Sequence, residues 1–182
     1  MIRPIGQRLT IATLVTGMWL AGLLMPSVDV NAAPQNWGNS WHNNPFSCQV
    51  SATGMSFGSY SVFSTSPLDS AATLRISCTQ NKPGNGAGQS ATTMPVEISF
   101  GEGETGTVSD RYMTASPMDN LQYQIYADAA RRTVLGDGSL GTTTLTMNAG
   151  SSTTVTVFGR VFARQDVYPG NYRDSVRVTI LF

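Results

Sequence analysis

The sequence predicts an all-β domain, a sandwich of immunoglobulin-like type. Three observations point there. About seven short stretches alternate apolar and polar residues at roughly 10- to 20-residue intervals, bounded by Gly, Pro, Asn or Asp, and none sustains a helical period. Ser, Thr, Gly and Val dominate, and only 12% of residues are charged, which suits a protein that packs against copies of itself. Finally, the sequence ends inside a strand: Val176, Val178, Ile180 and Phe182 share one face, and nothing follows Phe182 to pair with it. Such a face has to be covered, and a covering strand from another chain makes strand uptake the expected function. A closed barrel is the alternative; it needs an internal partner for the last strand, and the weak first strand is the only candidate.

Residues 1–32 have the form of a secretory leader. Arg3 and Arg8 give a basic start, residues 11–25 an apolar run, and Val30-Asn31-Ala32 a small-residue cleavage site, so cleavage is expected after Ala32. The separated arginines favour general secretion over the twin-arginine route. No later stretch reaches the roughly 20 apolar residues of a spanning helix. Residues 33–47 read as a polar, Asn-rich tail carrying Trp37, Trp41, His42 and Phe46 in no clean period.

Order is expected from Cys48, with a short strand over 48–52, a second extended piece over 57–60 and a turn at Pro67-Leu68-Asp69. Residues 71–79 put Ala72, Leu74, Ile76 and Cys78 on one face and Arg75, Ser77 and Thr79 on the other. Residues 81–90, with Pro83, Gly84, Gly86 and Gly88, form a loop without the glycine spacing of a phosphate cradle. Val96, Ile98 and Phe100 define a strand. Glu102, Gly103, Glu104 and Gly106 form a solvated turn lacking the spaced oxygen ligands of a calcium loop. Leu121, Tyr123 and Ile125 alternate with Gln122, Gln124 and Tyr126. Residues 128–132 allow a helical turn, with Arg131 and Arg132 on a solvated face, before Gly136-Asp137-Gly138 turns the chain. Residues 142–147 and 153–163 are further strands, the second with Val155, Val157, Gly159 and Val161 on one face and Phe158 and Phe162 on the other. Pro169-Gly170-Asn171 leads into the last strand.

Export places Cys48 and Cys78 in an oxidising compartment, so a disulfide is expected. It closes a loop of 31 residues, for which chain entropy gives about 3.5 kcal/mol. The pair lacks the close spacing and histidine partners of a metal or redox site. Without the leader, nine basic residues face ten acidic ones, which gives no electrostatic footprint for nucleic acid or an anionic membrane. The one histidine, His42, lies in the tail, so no nucleophile–base pair can be assembled around it. Glu97, Glu102, Glu104, Asp110 and Asp119 fall in turns or on polar strand faces, where solvated carboxylates are the default. The expectation is no enzyme, no cofactor, no metal and no small-molecule substrate. Trp37 and Trp41 fit either glycan stacking or pockets on a neighbour, and the second suits a tail better.

Cys48, Ser56-Phe57-Gly58-Ser59-Tyr60, Arg75-Ile76-Ser77-Cys78, Arg111-Tyr112-Met113, Leu121-Gln122-Tyr123-Gln124-Ile125-Tyr126, Gly136-Asp137-Gly138 and Pro169-Gly170-Asn171-Tyr172-Arg173-Asp174 occur in this order. Together, over residues 48–182, they resemble the spore coat protein U domain, which is shared with subunits of archaic chaperone-usher pili. The resemblance implies an incomplete immunoglobulin-like sandwich lacking its last strand. It also implies three kinds of partner: a periplasmic chaperone holding the open groove, an outer-membrane usher, and neighbouring subunits whose N-terminal extensions fill the groove in a surface fibre serving adhesion or biofilm formation. By this likeness Val176, Val178, Ile180 and Phe182 line the acceptor groove. Residues 33–47 are the possible donor segment, with Trp37, Trp41 and Phe46 as anchors, but without alternating aliphatic residues they make a poor donor strand. A non-polymerising secreted coat protein, or a glycan-binding surface protein using Trp37 and Trp41, is the alternative.

Overall fold

The computed structural model describes residues 8–17, 46–80, 93–116 and 119–182. Ten strands lie in them: β1 (Arg8–Gly17), β2 (Phe46–Ala52), β3 (Met55–Ser56), β4 (Leu68–Gln80), β5 (Met94–Phe100), β6 (Arg111–Ser116), β7 (Asp119–Tyr126), β8 (Leu145–Ala149), β9 (Thr153–Val161) and β10 (Arg173–Leu181). The predicted leader cleavage site, the loop over 81–90 and residues 33–45 of the tail, with Trp37, Trp41 and His42, lie outside the described residues.

Hydrogen bonding runs β2-β4-β9-β7-β6-β10-β1-β3, with β5 joined to β10 and β8 joined to β5. β6 meets β10 at one pair, Thr114 opposite Arg173, and there the path folds over into two layers. One layer is β2-β4-β9-β7-β6; the other is β8-β5-β10-β1-β3. The fold is all-β and immunoglobulin-like, as the alternation predicts. Strand faces follow the expected phase: Leu74 and Ile76 of β4, Val157 and Val161 of β9, and Leu121 and Ile125 of β7 are buried against Val96, Ile98 and Phe100 of β5 and Val176, Val178 and Ile180 of β10. Apolar burial between two alternating faces is what holds such a sandwich together.

Several local readings are corrected. The early extended piece is Met55–Ser56 rather than 57–60; Met55 is buried, and Gly58, at φ 74°, turns the chain away from the ladder. Leu68 and Asp69 belong to β4 rather than to a turn, since they pair with Val161 and Arg160 of β9. β6 has no counterpart in the predicted strands because its inward phase begins with a charged residue, Arg111. The strand predicted over 142–147 starts only at Leu145, opposite Ile98, because Leu140 and Gly141 both have positive φ and carry a turn. Residues 128–132 form a tight turn, not a helical one: the Ala127 N–H donates to Thr133 O at 2.9 Å, and Arg131 sits at φ 56°. Nor is Arg131 simply solvated, since its Nε lies 3.1 Å from Asp69 Oδ1.

The largest difference lies at the N-terminus. Residues 8–17, within the segment read as leader, form β1 and run antiparallel to β10, from Arg8 opposite Leu181 to Gly17 opposite Arg173. β1 also pairs in parallel with β3 through Thr16–Met55 and Gly17–Ser56. The terminal strand expected to lack a partner is thus covered within this chain. The physical reason is the one that raised the expectation: an apolar strand edge recruits an extended, apolar and Thr-rich segment that can pair with it.

Candidate functional site

The edge of β10 is the candidate site. Val176, Val178 and Ile180 are fully buried on its inward face, and Phe182 packs against the same core. On one flank β5 pairs with it, Val178 opposite Phe100 and Ile180 opposite Ile98. On the other flank lies β1, with β3 beyond it. Beneath this flank Met55 and Phe57 reach across to β9, where Gly159 leaves the space they occupy. A Cβ at Gly159 would lie 2.1 Å from Met55 Sδ and 2.8 Å from Phe57 Cζ, so a side chain there would displace those of Met55 and Phe57. Phe57 also meets the ring of Tyr123 edge-on, with centroids 6.2 Å apart, an arrangement that aromatic quadrupoles favour.

The lower end of β10 is fixed by a buried polar network. Arg111 is fully buried. Its Nε donates to Gly101 O at 2.9 Å, one terminal nitrogen to Gly101 O at 2.7 Å and Phe100 O at 3.2 Å, and the other to Val108 O at 2.8 Å and to the Gln124 side-chain oxygen. Burial lowers the Arg111 pKa, opposed by the nearby Tyr123 and Asp174, and five bonds hold the guanidinium in place as a buried cation requires. Asp174, also buried, accepts from Tyr123 Oη at 2.6 Å and from the backbone N–H groups of Glu104 and Ser175, each at 2.7 Å. Gly103 permits that approach: it has φ 93°, and a Cβ there would stand 2.2 Å from Asp174 Oδ2. These contacts tie the 101–110 loop, β6, β7 and the start of β10 together. Chemically they position strands, and both charges are buried.

The sequence-predicted site residues separate into three groups. Val176, Val178, Ile180 and Phe182 are brought together on β10. Cys48 and Cys78 stand opposite each other in the β2–β4 ladder and are bonded, with Cα atoms 4.1 Å apart. Of the proposed tail anchors, Phe46 belongs to β2, paired with Gln80, while Trp37 and Trp41 lie outside the described residues. Arg111, Gln124 and Asp174 went unpredicted. Their signal was phase: Arg111 alternates with Met113, and Asp174 with Val176, Val178 and Ile180, so each is a polar residue on a buried face.

The profile of the Spore Coat Protein U domain matches residues 42–179, a span that takes in every strand but β1 and ends within β10. The chain belongs to the Spore Coat Protein U domain family. Members of this family are structural subunits of pilus and fimbrial type, built for assembly at the cell surface and not known as enzymes. No curated protein matches the chain. Among the described residues no helix is long and apolar enough to cross a membrane. In Spore Coat Protein U terms, the features described above are a disulfide-tied β2–β4 edge and a β10 edge whose neighbour comes from outside the matched span.

Proposed function

We propose that the chain is a structural subunit of a surface fibre of the archaic chaperone-usher type, assembled by uptake of a neighbour's strand at the β10 edge. The observation that carries this reading is the place of β1. It lies between β10 and β3, antiparallel to one and parallel to the other, and it comes from outside the residues that match the family. On cleavage after Ala32 that place opens, exposing the inward faces of Val176, Val178 and Ile180. A periplasmic chaperone strand covers it during export, the outer-membrane usher presents it for exchange, and the N-terminal extension of the next subunit closes it in the fibre. Burying four or five apolar donor side chains, at about 1.5 to 3 kcal/mol each, contributes on the order of 10 kcal/mol before ordering costs. Ladder hydrogen bonds add specificity of register, and contacts of this strength dissociate slowly. Contribution to adhesion and biofilm formation follows from display of the fibre.

The test is expression of residues 33–182 with and without a cognate periplasmic chaperone, read on unboiled denaturing gels. The expected outcome is loss of soluble protein without the chaperone, and with it a complex that converts to a heat-sensitive ladder. A stable, soluble monomer of residues 33–182 alone would sink the proposal.

A further inference from the structure

At the β6–β7 end of the sandwich a cleft of about 730 Å3 is lined by Glu104, Thr114, Asp119, Tyr168, Asn171 and Arg173, among others. One wall is the segment between β9 and β10, and this segment is firmly held. The Gln165 backbone N–H donates to Tyr60 Oη at 2.6 Å, and its side-chain amide exchanges hydrogen bonds with both backbone groups of Gln122, at 2.6 and 2.8 Å. The Tyr168 N–H donates to Asp119 Oδ2 at 3.2 Å, and Tyr168 O accepts from Tyr172 Oη at 2.7 Å. Tyr172 itself is buried, with its hydroxyl also against the Asp119 carboxylate. Yet the ring of Tyr168 is 80% exposed. An aromatic ring whose backbone is fixed on both sides, and whose faces are left open beside a polar cleft, is a ready platform that costs little entropy to use.

The rest of the lining has matching chemistry. Arg173, Asn171 and Glu104 are exposed around the cleft, and their side chains have no hydrogen-bond or ion-pair partner among the described residues. They offer donors and acceptors of both kinds, and a guanidinium set against two carboxylates gives no strong preference for a charged ligand. We propose that this cleft binds a neutral oligosaccharide, with a sugar face stacked on Tyr168 and its hydroxyls bonded by Asn171, Arg173 and Glu104. The volume falls in the range of ordinary small-ligand sites.

The test uses the full chain in native gels containing dextran, a soluble β-glucan or a mannan, with assembly read separately from the unboiled ladder. Retardation by at least one polysaccharide is expected. Tyr168→Ala should weaken it about tenfold and Asn171→Ala several-fold, with the ladder unchanged; the exposure of both side chains keeps these variants folded. Three results overturn the site: no retardation in any gel; retardation that survives Tyr168→Ala, which places the sugar elsewhere, as on Trp37 and Trp41; or a Tyr168→Ala ladder that shortens while retardation is unchanged, which makes the cleft a contact between copies. Since the ladder reports strand uptake independently, failure of the sugar site leaves the fibre reading untouched, and the converse also holds.

Discussion

Two ladders of similar length, β2 on β4 and β1 on β10, are held in different ways. β2 pairs with β4 from Phe46 opposite Gln80 to Ala52 opposite Leu74, and in the middle of that ladder Cys48 is bonded to Cys78. β1 pairs with β10 from Arg8 opposite Leu181 to Gly17 opposite Arg173, with no covalent link across it, and residues 18–45 separate it from β2. Ladder length does not distinguish the two. The tether does: a cross-linked strand returns to its place at once, whereas an untethered one competes with any other segment present at sufficient effective concentration. One ladder is held by a bond across it, and the other by strand pairing alone.

Three variants sharpen that contrast. The largest effect is expected for Val178→Asp. Val178 is fully buried between Phe100 and the β1 place, and an unpaired carboxylate there costs more than about 4 kcal/mol. Denaturant melts of the full chain should show loss of the folded state; a variant that stays folded would mean that the inward face of β10 is less essential than its burial indicates. Next is Cys48→Ala with Cys78→Ala. The cross-link is worth about 3.5 kcal/mol, so the double variant should melt earlier but still take up a strand at β10. A double variant that lost uptake entirely would show the two borders to be coupled.

The smallest effect concerns Asp69, on the β4–β9 ladder away from both borders. Arg160 holds its carboxylate with two bonds of 2.8 and 2.9 Å, and chiefly that interaction, aided by Arg131, lowers its pKa. A lowered folded pKa stabilises the protein above the unfolded value of about 3.9 and ceases to do so as pH falls through the folded value. Asp69→Asn should therefore cost less than about 1 kcal/mol at pH 7, because the side chain is 36% exposed. The difference from the parent should vanish in acid. A gap that persisted at pH 2 would assign the loss to packing instead.

Most of the framework was legible in the sequence. Where an inward phase is purely apolar, as in Ala72-x-Leu74-x-Ile76 or Val176-x-Val178-x-Ile180, period two identifies both the strand and its buried face. It fails where a polar residue takes the inward position. β6 escaped for that reason, since Arg111 looks like a surface residue until the 101–110 loop folds the carbonyls of Phe100, Gly101 and Val108 around it and β7 brings up the Gln124 side chain. The same holds for Asp174, whose donors come from β7 and the 101–110 loop. Networks assembled from distant segments leave no local pattern. The β10 face was legible because Val176, Val178 and Ile180 alternate without interruption. What covers it in this chain was not, because an apolar run after a basic start reads first as an export signal.

The register of β1 against β10 slips between Thr10 and Thr13. Leu9 stands opposite Ile180 and Leu14 opposite Val176, so five steps on one strand span four on the other. A strictly alternating ribbon laid along the whole edge would keep time with β10 throughout; this one drops a beat and so brings two leucines of opposite parity to positions of the same parity. The segment that pairs with the edge in this chain thus carries its apolar residues at an odd spacing. Any search for segments able to occupy it should admit an odd spacing between apolar residues, and scoring by simple alternation will pass over the strand that fits.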